Sequence, residues 1–154
     1  MPAIVFETWA SLREYTGREI GISDWMQVTQ ERIQQFADST EDHQWIHLDS
    51  ERAARESPYG KTIAHGFLTL SLMPHLVRQT IQIRTDARLT VNYGLNRVRF
   101  PAPVREGANI RARISLGFLH EFTDGVEAVF GVSMEAQGET KPCCVAEWIL
   151  RYYR

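Results

Sequence analysis

The stretch GFLTLSLMPHLVRQTI, residues 66–81, most narrows the folds open to this chain. Phe67, Leu68, Leu70, Leu72, Met73, Leu76, Val77 and Ile81 leave hardly any polar face. A helix of that kind is expected to be enclosed rather than laid on a surface. Pro74 falls inside it, which predicts a kink or a break near Leu72 and Met73. Beyond Arg84 the apolar period shifts toward two. Residues 89–93 and 97–100 read as strand, with Gly94 as a bulge or bend. Pro101 and Pro103 interrupt the pairing, Glu106 and Gly107 make a turn, and residues 110–122 alternate again. Gly125 marks a hairpin between that run and residues 126–136, and residues 143–153 supply a last strand.

One enclosed helix followed by long antiparallel strands has few packing solutions. The sheet is expected to curl round the helix, an α+β arrangement called a hot-dog fold. Its edge stays open, and pairing with a second copy closes it, so a homodimer is expected. The first third of the chain reads as smaller pieces. Residues 9–15 suit a short helix ended by Gly17, and residues 19–28 suit a strand. Thr29 is a plausible N-cap for a helix carrying Ile33, Phe36 and Ala37 on one face, which runs out over 38–42. Asp49 or Ser50 caps a second helix over 51–56, stopped by Pro58 and Gly60.

The 154 residues read as a single domain, 1–154. A net charge of −2 supplies no general attraction for nucleic acid or anionic membrane. No apolar run approaches the ~20 residues of a membrane span, and the N-terminal residues lack the basic-then-apolar layout of a signal peptide. The two cysteines, Cys143 and Cys144, are adjacent, bridge only with strain and belong to no CxxC pair, which fits a reduced cytoplasmic setting.

The chemistry-bearing residues gather in 37–66, which opens ADSTEDHQWIHLDSERAA and closes TIAHG. Asp42 and His47 stand five residues apart with Gln44, Trp45 and Ile46 inside the interval. Folded over the start of the central helix, a carboxylate and an imidazole can hold one water, take a proton from it and return one. By spacing alone the same pair is equally an Asp that ends a helix and a satisfied core histidine. Gly66 begins the central helix, where the first amides lack intrahelical partners and carry the positive end of the dipole. A glycine there admits a substrate carbonyl to the backbone as an oxyanion hole, or merely eases the entry into a crowded helix. His65 beside it suits packing as well as chemistry. His43 and His47 have the spacing of HExxH, but Gln44 occupies the place of the general-base Glu and no third ligand follows, so no metal is expected. No GxSxG nucleophile occurs. Lys61, Arg84, Arg88, Arg97, Arg99, Arg105, Arg111 and Arg113 include candidates for the phosphates of a nucleotide-tailed substrate.

FADSTEDHQWIHLDSERA, then TIAHGFLTLSL, then NRVRFPAPVREGANIRARI resemble the MaoC-like dehydratase family in the right order across residues 28–113. That family includes the R-specific enoyl-coenzyme A hydratases, and the DHQWIH form looks closest to its branch containing nodulation protein N. The resemblance implies a hot-dog homodimer with no metal or prosthetic group. It implies reversible hydration of a trans-2-enoyl-coenzyme A to the R-3-hydroxyacyl thioester, coenzyme A being part of the substrate. Motif by motif, the family's catalytic Asp falls on Asp42, its catalytic His on His47 and its oxyanion glycine on Gly66. Gln44, Trp45 and His65 are the expected substrate contacts. Family hydratases commonly carry an Asn-Pro pair where this chain has Gln44 and Trp45, and the indole is expected to reshape the acyl pocket. Two rivals keep the fold and the ligand: a hot-dog thioesterase that cleaves the thioester, and a non-catalytic acyl-thioester binder.

Overall fold

In the computed structural model, which describes all of Met1–Arg154, local signals place the elements in chain order. Strand β1 (Ile4–Phe6) leads to helix α1 (Trp9–Arg13), whose N-cap Thr8 accepts from the Ser11 amide. The strand expected over 19–28 is two pieces, β2 (Arg18–Ile22) and β3 (Met26–Gln27). Between them the Ser23 hydroxyl accepts from the Ala112 amide, and the Ser23 amide donates to the Ala112 carbonyl. A side chain thus takes one rung of the ladder and breaks the strand.

Thr29 caps α2 (Gln30–Thr40), its hydroxyl 3.2 Å from the Arg32 amide. The helix continues through Asp38 and Ser39, where a turn was expected, because the Ser39 and Thr40 hydroxyls fold back onto the Phe36 carbonyl. It stops at Glu41, which takes left-handed backbone with φ 62°. A one-turn helix that the sequence does not announce, α3 (Trp45–Leu48), comes next. Asp49 then caps α4 (Ser50–Glu56), 2.9 Å from the Arg52 amide.

The apolar run forms α5 (Gly66–Thr80), unbroken through Pro74, and leads into β4 (Ile81–Ile83), which pairs in parallel with β1. The long strands are β5 (Leu89–Arg99), β6 (Asn109–Phe122), β7 (Gly125–Ala136) and β8 (Cys144–Tyr153). They form an antiparallel sheet in the order β2-β6-β7-β8-β5, with β3 also on β6. Every second residue of β7 and β8, from Val126 to Ala136 and from Cys144 to Tyr152, is buried. These join Leu68, Leu72, Met73, Leu76 and Val77 of α5 in one core, the hot-dog arrangement. The outer face carries ion pairs instead: Arg111 and Arg113 share Glu135, Arg113 also reaches Glu19, and Arg151 meets Glu127.

One expectation is corrected. The helix is not enclosed on all sides, since Phe67 is 70% exposed and Ser71, His75 and Arg78 continue its open stripe at helical spacing. The inward faces of β7 and β8 are covered by the chain's own helix. What stays uncovered is the edge strand β5, where Leu89 and Tyr93 are 58% and 53% exposed. The expected irregularity at Gly94 is present, and a second lies between Asn96 and Arg99, with Arg97 at φ 51°. No helix is long and apolar enough to cross a membrane.

Both cysteines are free and buried. The Cys143 thiol donates to the Met134 carbonyl at 3.3 Å. Burial pushes the Cys143 thiol up to about 12 and the Cys144 thiol up to about 11.

Candidate active site

Glu41 ends α2 in a conformation that turns the chain back, so Asp42 returns toward the start of α5. There its backbone carbonyl accepts from His65 Nε2–H at 2.9 Å, while its carboxylate remains exposed. His47 lies on α3, only 6% exposed, with Nδ1 2.7 Å from the Ile63 carbonyl. A carbonyl can only accept, so Nδ1 carries the proton and Nε2 keeps its lone pair. The segment holding this ring is pinned twice more. Gln30, at the start of α2, donates from Nε2 to the His47 carbonyl at 2.8 Å and accepts from the buried Thr62 hydroxyl. The Ile63 amide donates to the Ile46 carbonyl. Nitrogen or oxygen atoms of Asp42, His47 and His65 come within 4.8 Å of one another at the N-terminus of α5.

Burial is the main cause that lowers the His47 pKa from its ordinary value, with His65 acting in the same direction. The Ile63 carbonyl and Asp42 work the other way and do not overcome it. The ring is therefore neutral at pH 7, with Nε2 able to take a proton.

His43 does not join this group. It precedes α3 and sits on the exposed turn with Nε2 3.0 Å from Asp38, an interaction that raises its pKa. His43 and His47 thus do not share one helix face as HExxH requires. Asp42, His47 and His65 each offer one ligand atom, all within 4.8 Å of one another, and the His47 and His65 rings stack with centroids 3.8 Å apart and planes 24° from parallel.

Gly66 is the first residue of α5, and no side chain caps that helix end. The first amide of the helix with a backbone acceptor is that of Thr69, which donates to the His65 carbonyl. The Gly66 N–H is thus open to an oxygen atom. The missing side chain has a separate cause: a Cβ at Gly66 would lie 3.1–3.2 Å from the Phe100 ring. Beside it is a cavity of about 200 Å³ lined by Tyr59, Ile63, Gly66, Thr69 and Phe100 among others. A larger groove of about 740 Å³ runs along the second half of α5, between Val77, Ile83, Trp148 and Leu150, with Arg78 and Arg84 on its rim.

The other expected contacts are placed differently from Asp42, His47 and Gly66. Gln44 is exposed at the N-cap of α3, and Trp45 is half-buried beneath the Arg52 guanidinium, 4.1 Å from the ring centre. Neither lines the cavity beside Gly66. His65 lies in the interior, 3% exposed and behind His47. Four of the eight cationic residues are engaged in ion pairs, Lys61 with Glu106, Arg105 with Glu139, and Arg111 and Arg113 with Glu135. Arg84, Arg88, Arg97 and Arg99 remain without a carboxylate partner. The residues that orient His47 escaped sequence reasoning. Ile63 acts through a carbonyl that every residue type possesses, and Gln30 looks like any first-turn polar residue.

Trp45 is the first helical residue of α3, and its amide has no hydrogen-bond acceptor, which is the position proline fills without loss. Trp45→Pro with Gln44→Asn is therefore expected to leave the melting temperature within a few degrees of the parent. If the Asp42–His47 turn faces an enoyl chain, as the motif resemblance implies, the substitution also changes the order of preference among chain lengths, because the indole volume beside that turn is removed. Rates measured over a series of chain lengths check this, and an unchanged order places Trp45 outside the substrate's path.

A curled sheet around one helix defines the hot-dog fold, and here it brings an exposed carboxylate and a neutral imidazole to that helix's open N-terminus. A family model described as "MaoC like domain" matches residues 12–133. The chain belongs to the MaoC-like dehydratase family and is an enzyme of the hydratase–dehydratase type. The 3-hydroxyacyl-thioester dehydratase Z of Mycobacterium tuberculosis is 49% identical to it over 148 residues, 96% of this chain and 97% of that protein. Nodulation protein N of Rhizobium leguminosarum bv. viciae is 42% identical over 134 residues, 86% of this chain and 83% of the other. The unliganded R-hydratase PhaJ1 from Pseudomonas aeruginosa shares the fold, with a TM-score of 0.70 at 19% identity, over 90% of this chain and 82% of that one.

Proposed function

We propose that the protein reversibly hydrates trans-2-enoyl thioesters of coenzyme A to R-3-hydroxyacyl thioesters, with Asp42 and His47 acting on one water. The observation that carries this reading is the His47 ring, which spends its Nδ1 proton on the Ile63 carbonyl and leaves Nε2 unprotonated near Asp42. The Gly66 N–H donates to the thioester carbonyl oxygen and draws electron density from C3 of the enoyl chain. A water held between Asp42 and His47 loses a proton to one of them as its oxygen bonds to C3. The electron pair of the double bond moves onto the thioester oxygen, where the helix N-terminus stabilises the enolate. The group that took the water's proton then delivers it to C2 as the enolate collapses, which completes the addition and returns both side chains to their starting state. Arg84, Arg88, Arg97 and Arg99, free of carboxylates, are the candidates for the coenzyme A phosphates.

The test is a short trans-2-enoyl-coenzyme A followed at once by enoyl absorbance and by free thiol, with a chelator present because no step uses a metal. Absorbance that falls without thiol release is the expected result. Thiol release replaces the reading with a thioesterase, and no change in either replaces it with a binder. Loss of activity on prolonged chelation, restored by zinc, brings back a metal centre.

The same reading pairs β5 with the β5 of a second copy. An unpaired strand edge carrying exposed Leu89 and Tyr93, with exposed Phe67 on the helix, is a surface that a second copy would cover. Sedimentation at micromolar concentration is expected to give a dimer, and a stable monomer there rules the pairing out.

A further inference from the structure

His65 has the features of a part that works without touching substrate. Its Nε2–H is committed to the Asp42 carbonyl at 2.9 Å, so Nδ1 of the neutral ring carries no proton. That Nδ1 is buried and has no hydrogen-bond partner. One face of the ring stacks on His47 at 3.8 Å, and Phe36 of α2 packs against it at 4.9 Å. The chain neighbour of His65 is Gly66. One imidazole therefore touches the backbone of the acid, the ring of the base and the peptide that precedes the oxyanion amide.

We propose that His65 is a positioning residue, a buried imidazole that fixes the ring plane of His47 and the Asp42 carbonyl against the N-terminus of the central helix. The proposal rests on the reading of Asp42 and His47 as the catalytic pair. Its physical basis is contact: the buried ring is tied to the Asp42 carbonyl through Nε2–H while its face packs on the His47 ring, so neither neighbour shifts without the other. The titratable and charged groups that face His65 are His47 from α3 and Asp42 from the turn before it; α2 contributes the uncharged Phe36, and α5 the Thr69 hydroxyl on the His65 carbonyl. This arrangement holds the His47 ring plane and the Asp42 backbone in one register.

Two variants separate the parts. His65→Phe keeps a ring to stack on His47 and deletes the donor to Asp42. His65→Gln keeps a donor and deletes the ring. With melting temperature as the folding control, His65→Phe is expected to lower kcat on the order of 10²-fold, the scale of a displacement of about 1 Å in a catalytic group, with KM near the parent. His65→Gln is expected to recover part of that loss. In both, the acid limb of kcat against pH should move to higher pH, because the neighbour that holds down the His47 pKa is gone. Nitrogen-15 NMR of the histidine side chains supplies a reading independent of turnover. In the parent protein at pH 8, His65 should be the Nε2–H tautomer, and the His47 midpoint should rise in both variants. A His65 ring in the Nδ1–H tautomer at pH 8 overturns the proposal, as does a His65→Phe enzyme with parental kcat and pH limb. If the parent fails to hydrate any enoyl thioester, the reading of function falls, and the NMR midpoints still decide the part played by His65.

Discussion

Asp42→Asn and His47→Gln are each expected to lower hydration turnover by ~10²–10⁴-fold, the range of general catalysis by one positioned group. The double variant should cost little more than the worse single one. In the proposed reaction both groups act on one water in one step, and residues that share a step lose their effect together. KM should change little, since binding rests on the Gly66 amide, the adjoining cavity and the unpaired arginines. Folding should survive as well. The Asp42 side chain is exposed, and glutamine can keep a donor toward the Ile63 carbonyl in place of His47 Nδ1. A double-mutant cycle on the hydration rate, with thermal melts alongside, measures all of this. Fully multiplying losses would place the two residues in separate steps. Near-parental activity in either single variant would make that residue structural.

The second large effect is expected at Gly66, where two substitutions divide one question. Gly66→Ala adds a Cβ that must push the Phe100 ring from 3.1 Å but keeps the N–H. Gly66→Pro adds the same Cβ and removes the N–H. The backbone suits proline there: Gly66 is the first helical residue, and His65 before it has φ −58° and ψ 138°, the extended conformation that a residue preceding proline adopts. Phe100 is 40% exposed and has room to turn aside. The alanine variant should therefore lose modestly, and the proline variant should lose a further ~10²–10³ in kcat, the usual cost of one oxyanion donor. Steady-state kinetics on the two variants read the difference directly. Equal losses would assign Gly66 to packing against Phe100 alone.

The parts of the fold legible in the sequence are those governed by neighbours along the chain. Thr29 and Asp49 cap helices because cap chemistry spans three residues, and Gly94 loosens its strand because a glycine invites it. The Asp42–His47 interval was legible for the same reason, together with the family pattern. What escaped depends on distant partners. Ser23 breaks a strand by bonding Ala112, a contact across 89 positions. Phe67 looked like a core residue by type, but only the path of the sheet decides which stripe of α5 it leaves bare. Arg111 and Arg113 read as free cations until β6 and β7 pair and bring Glu135 between them. The carbonyl that fixes the tautomer of His47 carries no residue signature at all.

The two buried cysteines make the folded protein silent to thiol reagents. With both thiols protonated at neutral pH and shut inside the core, the folded chain contributes almost nothing to a free-thiol signal, so coenzyme A released in an assay is seen against a dark background. The same silence turns the pair into a gauge. Any labelling of Cys143 or Cys144 counts an opening of the β7–β8 region, and its rate under native conditions reports how often the sheet parts from the helix.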